Sequence, residues 1–327
     1  MKKITYDQRW EGSHGIGRFS TEITKRLKFN SYLNSKIKPT SIFDVLITAR
    51  ALIFNQNIFF TPGFNAPYVA AGRSIITIHD LNHIDMPGNS SLLKRIYYNI
   101  ILKRGCKKAL VIFTVSEFSK NRIVEWSGVE KSKVVVVGNG VSNDFSPHVK
   151  PYSPGYRYLF CVSNRKAHKN EVRLIQAFAQ ANTGRDTVLL LSGNTTPELS
   201  ELISQLNLND RVKFTGFIRD DELPSYYRGA TGLIMPSLYE GFGLPVIEAM
   251  ACGVPTIASS TTSLGEIAGD ASILVDPTNV ADIADSISKL FLDIELRQHM
   301  IEKGLEHVKL YTWDKTVNKI KDAISAI

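Results

Sequence analysis

The sequence predicts an α/β chain of two doubly wound parallel sheets, and three observations carry that reading. Strand-like runs alternate with helical patterns through both halves, as repeated β-α-β units with right-handed crossovers do. Runs such as 74–78, 109–115 and 133–137 are almost continuously apolar, the pattern of strands covered on both faces. Residues 146–155, Ser-Pro-His-Val-Lys-Pro-Tyr-Ser-Pro-Gly, are polar, proline-rich and without period, so a boundary is expected there, with one domain at 1–150 and the next from 151. A length of 327 residues suits two domains of about 150 each, and 43% hydrophobic with 21% charged residues is the composition of an ordinary globular protein.

In order, residues 3–6 read as an opening strand, and Gly15 to Leu27 as a helix with Phe19, Ile23 and Leu27 at i, i+4 and i+8. Gly15 and Gly17 sit at its start. A dinucleotide fingerprint is not met, because Ser20 stands where its third glycine belongs. Residues 44–47 and 57–60 are expected strands, followed by the buried strand 74–78. His79 comes directly after that strand, where open parallel sheets gather their ligands, so it is a candidate site residue as well as an ordinary structural histidine. Residues 90–108 read as a helix with Leu93, Ile96, Tyr97, Ile100 and Ile101 on one side and Lys94, Arg95, Lys103, Arg104, Lys107 and Lys108 as its charges. Such a helix either covers a core or lies on anionic lipid headgroups. A strand at 109–115, a helix capped by Ser116 and a strand at 133–137 complete the first half.

The second half offers strands at 158–162, 187–191, 211–215, 232–235, 256–258 and 272–275. After the first of them, Arg165, Lys166 and Lys169 place cations at a strand's carboxyl end, where they could neutralise a diphosphate. The densest stretch is 236–253. Pro236 ends a strand, Gly241 and Gly243 allow a tight turn, Pro245 suits a first helical turn and Gly253 a C-cap, giving a helix over about 245–252. Amides near Gly243 and Leu244, at the positive end of that helix, form an anion site. Glu240 precedes the site and Glu248 lies within the helix. Two carboxylates beside an anion site are better used gripping neutral hydroxyls, which is the layout of a nucleotide sugar.

The run Glu240-Gly-Phe-Gly-Leu-Pro-Val-Ile-Glu248 closely resembles the Glu-x7-Glu signature of the retaining family-four (group 1) glycosyltransferases of the GT-B class. The resemblance covers nearly all of the chain and is strongest over 214–277. It implies two Rossmann-like domains facing a cleft, an acceptor-side domain at 1–150, a nucleotide-sugar domain at 151–310, and a helix at 311–327 that crosses back to the first domain. It also implies catalytic work for Glu240, Lys169, Arg165 and His79, with Glu240 on the donor-sugar hydroxyls. Glu248 is implied at the ribose, the backbone of Phe217 and Ile218 at the nucleobase, and Gly241, Phe242, Gly243 and Leu244 around the donor. Gly15, Gly17 and Arg18 are implied at the cleft, Gly15 and Gly17 as neighbours of the acceptor or of the donor phosphates. The chain departs from the family pattern at Gly138 and Gly265, where proline is usual, at Ser163, where glycine is usual, and at Arg165, which stands one place late.

The activity so implied is transfer of a sugar, mannose first and rhamnose second, from a nucleotide-diphosphate donor to a glycan or lipid-linked acceptor in bacterial surface polysaccharide synthesis. A GT-B sugar-nucleotide epimerase, a phosphorylase and a non-catalytic nucleotide-binding module stand as alternatives. No Asp-x-Asp pair and no metal-ligand spacing occurs, so neither metal nor cofactor is expected beyond the donor as substrate. Three scattered cysteines argue against a disulfide framework. No signal-peptide core and no apolar run near ~20 residues appears, so a cytoplasmic chain is expected. Residues 1–150 hold 22 Lys/Arg against 10 Asp/Glu, a net +12, whereas the rest is net −4. That asymmetry points to nucleic acid, an anionic membrane or a phosphorylated substrate, and with no zinc-finger, RRM or basic-zipper pattern nucleic acid drops out, leaving a peripheral anionic membrane surface or the phosphorylated substrate.

Overall fold

A computed structural model describes residues 3–12, 15–41 and 43–327. The chain divides into two compact units, 1–140 with 313–327, and 141–312. In the first, β1 (Ile4–Asp7), β2 (Ser31–Leu33), β3 (Ile58–Thr61), β4 (Ser74–Thr77), β5 (Val111–Thr114) and β6 (Val134–Val136) form a parallel sheet in the order β2-β1-β3-β4-β5-β6. In the second, β7 (Arg157–Cys161), β8 (Thr187–Leu191), β9 (Val212–Phe214), β10 (Gly232–Met235), β11 (Thr256–Ser259) and β12 (Ser272–Val275) pair in parallel as β12-β11-β10-β7-β8-β9. Strands such as β3, β4, β5, β8 and β10 are buried at every residue, which is why they lack alternation in the sequence.

The division falls between Gly140 and Val141, so the proline-rich stretch 146–155 lies inside the second unit. There Tyr152 stacks on Tyr226 at 4.2 Å, and its amide donates to Ser225 O. The two chain crossings are neighbours: Val141 forms a parallel bridge with Thr312, and its amide donates to Tyr311 O. The last helix, Trp313–Ser325, belongs to the first unit. Its Trp313, Val317 and Ile320 are buried against Phe19 and Ile23 of the helix Gly15–Arg26 and against Tyr6 and Phe60. Each such side chain adds about 1.5–3 kcal/mol when fully buried.

Two expectations fail locally. Residues 44–47 are not a strand but the start of a helix, Asp44–Ile53. Its Val-Leu-Ile-Thr run looks strand-like, yet the buried positions Asp44, Thr48 and Leu52 recur at helical spacing, while Leu46 is exposed. The stretch 90–108 is helical from Leu92, as Leu92–Ile96, Tyr97–Leu102 and Lys103–Lys108, but its middle section is a π-helix. The core takes Tyr98, Leu102 and Cys106, whereas Leu93, Ile96 and Ile100 of the expected core stripe face outward.

Candidate functional site

In the second sheet β7 lies between β10 and β8, so strand order reverses beside it and the loops after β7 and β10 open on the same crevice. Those loops carry Lys169 and Glu240. Lys169 Nζ donates to Glu240 Oε1 at 2.7 Å, and the two side chains are 13% and 14% exposed. The pair is thus enclosed enough for strong attraction while still open to a ligand.

The residue after Lys169 fixes this meeting. Asn170 takes the left-handed conformation, φ 62°, and its buried amide donates to Pro236 O at 2.9 Å and Pro277 O at 2.6 Å. One side chain therefore ties the β7 loop to the ends of β10 and β12. Leu238 N–H also donates to His168 O at 2.7 Å. From the other side, Ser263 Oγ donates to Glu240 O at 2.8 Å. Glu240 N–H points to Thr262 Oγ1 at 3.4 Å.

Beyond the turn, the helix Leu244–Ala251 begins one residue earlier than expected, with Gly243 at φ 105° as its N-cap and no side chain capping it. The φ of 105° is one that residues with a side chain rarely adopt, so this backbone favours glycine, and a Cβ there would also push Leu264 Cδ2 aside. The uncapped first turn leaves amides and the helix dipole directed at the turn, as an anion site requires. Gly241 and Phe242 are buried, and Phe242 meets Tyr311 edge to face at 5.7 Å. Glu248 is only 2% exposed, and Tyr227 Oη, from the helix Leu223–Gly229, donates to its Oε2 at 2.9 Å. Neither Asn170 nor Tyr227 was singled out as a site residue. Asn170 had a signal in standing next to Lys169, but Tyr227, 21 residues before Glu248, had none.

Arg165 is turned elsewhere. It adopts φ 63°, and its guanidinium donates to Glu171 and to Ser192 O and lies over the Phe214 ring at 5.1 Å. After β9, Gly216 exchanges both backbone hydrogen bonds with Gly193, leaving Phe217 82% exposed beside the half-buried Ile218.

The remaining candidates lie in the first unit. His79 follows β4, and its Nε2–H donates to Pro62 O at 2.9 Å, which fixes a proton on that nitrogen; the ring meets Phe19 edge to face at 4.9 Å. Gly17 is buried inside the helix Gly15–Arg26, where a Cβ would strike the Gly12 carbonyl; Gly15 is exposed and Arg18 half-buried. The reversal of strand order in this sheet, between β1 and β3, holds a buried network in which Arg9 pairs with Asp7 at 2.6 Å and Asp44 at 2.7 Å, and Asn65 donates to both carboxylates. Burial pushes the Asp44 carboxyl above its usual range despite Arg9.

Comparison with known proteins bears on these features. Residues 142–307 match the family model described as glycosyl transferases group 1, and 26–145 match glycosyltransferase family 4. The chain is 29% identical over 286 residues to O-antigen chain mannosyltransferase B of Escherichia coli, covering 82% of this chain and 75% of that protein. It is 26% identical over 280 residues to O-antigen chain mannosyltransferase RfbU of Salmonella typhimurium, covering 80% and 76%. Among solved structures, Anabaena Alr3699/HepE in complex with UDP-glucose superposes with a TM-score of 0.80 over 100% of both chains at 18% identity, a likeness of fold.

Proposed function

This chain belongs to the group 1 glycosyl transferases and has their GT-B fold of two Rossmann-like units, and from that premise we propose that it moves mannose from a nucleoside-diphosphate donor to a glycan or lipid-linked acceptor, with retention of the anomeric configuration, in O-antigen synthesis. Rhamnose is the second choice of sugar. The observation that carries the reading is the enclosed Lys169–Glu240 pair beside an uncapped helix N-terminus at the reversal of strand order. The names of the two O-antigen relatives support the sugar and the pathway.

As the anomeric C–O bond breaks, the electron pair leaves with the diphosphate and positive charge grows on the sugar. In this reading Lys169 and the amides of Gly243 and Leu244 take up the diphosphate charge, already oriented before the donor arrives. Donor binding then redirects Lys169 Nζ from Glu240 to a phosphate oxygen. Glu240 is released to accept hydrogen bonds from sugar hydroxyls, with Gly241 and Phe242 as the floor of that pocket. Glu248 accepts from the ribose, held in orientation by Tyr227, and the backbone of Phe217 and Ile218 borders the base. Arg165 contributes positive potential from its place on Glu171 without touching the donor. His79, Gly15, Gly17 and Arg18, all of the first unit, serve the acceptor. Lys169 supplies the charge that a metal would otherwise supply, so transfer is expected to survive EDTA.

The test offers GDP-mannose, dTDP-rhamnose and UDP-glucose with a lipid-linked acceptor and follows nucleoside-diphosphate release and product anomer by NMR. Glu240→Gln should lower kcat on the order of 10²-fold with donor Kd nearly unchanged, whereas Glu248→Ala should chiefly raise donor Kd. Absence of turnover with all three donors overturns the sugar assignment, an inverted anomer overturns retention, and equal losses in both variants overturn the division of roles.

A further inference from the structure

The buried ion network at the strand reversal of the first sheet runs on, through one amide and one hydroxyl, to His79. Asp7 and Asn65 are fully enclosed, and the Arg9 side chain is 1% exposed. Two carboxylates share one guanidinium here, so the second negative charge relies on other donors. Asn65 supplies them: its Nδ2 donates to Asp7 Oδ2 at 2.9 Å and to Asp44 Oδ2 at 3.2 Å. Because an ionised carboxylate only accepts, the amide cannot be turned round without setting oxygen against oxygen. Its Oδ1 therefore faces the other way, where it accepts from Trp10 Nε1 at 2.6 Å and from the Thr61 hydroxyl.

With its proton committed to Asn65, the Thr61 oxygen accepts the Gly63 N–H at 3.2 Å. Thr61 is itself tied to β4, whose Thr77 Oγ1 donates to Thr61 O at 2.9 Å. The Gly63 N–H shares a peptide unit with the Pro62 carbonyl. That unit is planar and trans, so fixing its N–H on one side fixes its C=O on the other. Pro62 O is the atom that accepts the His79 Nε2–H. Ser119 Oγ also donates to His79 O at 3.0 Å, which holds the backbone beneath the ring. Thr61 and Asn65 are fully buried, whereas His79, at the end of this chain of bonds, is half-buried.

A buried ion network adds little net stability, since desolvation offsets most of its attraction, but it holds its members in one geometry. We infer that Asn65 and Thr61 are positioning residues for His79: they clamp the Pro62–Gly63 peptide so that its carbonyl keeps the imidazole in one orientation, with the proton on Nε2. The inference rests on the proposed service of His79 to the acceptor and goes beyond it by naming what aims the ring. Loosening the peptide frees the imidazole to rotate and to exchange its neutral tautomers, so its two nitrogens trade donor and acceptor roles.

The first arm of the test needs no substrate. Imidazole nitrogen NMR of the full chain is recorded at about pH 8, where an ordinary histidine is neutral, and the His79 signals are those missing from His79→Gln. Wild type should show a single tautomer protonated on Nε2. Thr61→Val and Asn65→Ala should each show a mixture, whereas Thr61→Ser, which keeps the hydroxyl, should match wild type. Thr61→Val leaves Asn65 on both carboxylates and so keeps the fold even where Asn65→Ala loses it. The second arm follows sugar transfer to the lipid-linked acceptor. Thr61→Val should lower kcat about ten- to a hundredfold with nucleoside-diphosphate Kd as in wild type, and Thr61→Ser should restore it. Adding Thr61→Val to His79→Gln should slow transfer no further. Ser127→Ala, which removes another buried hydroxyl of the same unit, should lower the melting temperature and leave tautomer and kcat alone. An unchanged His79 tautomer in folded Thr61→Val overturns the proposal, and so does a loss of kcat that adds in full to that of His79→Gln. Transfer by His79→Gln at the wild-type rate would instead strike His79 from the acceptor reading, and the tautomer arm alone then decides the positioning.

Discussion

Asn170→Ala removes the amide that donates to Pro236 O at 2.9 Å and to Pro277 O at 2.6 Å, within the interior of the second unit. A buried carbonyl deprived of its donor costs about 1–3 kcal/mol, so the pair costs about 2–5 kcal/mol after partial relaxation. The residue also holds φ 62°, which asparagine tolerates and alanine resists by about 1 kcal/mol. The expected loss is therefore about 3–6 kcal/mol. Asn170→Gly loses the same two bonds but escapes the backbone cost, and should fall about 1 kcal/mol short of the alanine variant. Urea unfolding followed by circular dichroism measures both. Calorimetric titration with the nucleoside diphosphate then links the staple to the site, because Lys169 rides on the same turn and both variants should bind more weakly. Losses below about 1 kcal/mol in both variants, or a glycine variant less stable than alanine, would refute the account of Asn170 as a staple in a strained conformation.

Tyr227→Phe removes only the hydroxyl that orients Glu248, and should raise donor KM about ten- to a hundredfold with kcat nearly unchanged, in line with one hydrogen bond to a charged group. An equal fall in kcat would place Glu248 at the reacting bond instead of the ribose. Burial pushes the thiols of Cys106, Cys161 and Cys252 up to about 12. In the unfolded chain a thiol ionises near about 8.5, so the native state binds more protons above that pH. Stability from these groups should be full below it and decline as pH rises toward 12. A thiol-reactive dye at pH 8 should leave the native chain unlabelled, and rapid labelling, or unfolding free energy that rises from pH 8 to 10, contradicts this.

The sequence shows strands most clearly where they are buried on both faces, because β3, β4, β5, β8 and β10 leave apolar runs with no alternation to confuse them. The turn at 236–243 was equally legible, since Pro236, Gly243 and Pro245 each permit only a few backbone geometries. Asp44–Ile53 was misread because a β-branched run mimics a strand, and only the spacing of Asp44, Thr48 and Leu52 reveals the helix. The stripe in 92–108 was misplaced because periodicity assumes 3.6 residues per turn, which Tyr97–Leu102 breaks. At the site, the sequence could place cations and carboxylates at strand ends but not aim them. Lys169 meets Glu240, whereas Arg165 turns to Glu171 through a positive φ that no local pattern announces.

Because 313–327 belong with 1–140, the second unit is a continuous insertion and the first is assembled from the segments on either side of it. During synthesis the ribosome delivers the whole of 141–312 before Trp313, Val317 and Ile320 emerge, and these three fill the hydrophobic centre around Phe19 and Ile23. The unit whose translation begins first is therefore completed only after the second has emerged, with its interior open until the helix Trp313–Ser325 leaves the exit tunnel. A stop codon at 313 would spare every residue of the insertion and still deprive the first unit of its keystone, so truncation there should mark the earlier-made part of that unit for chaperones and proteases.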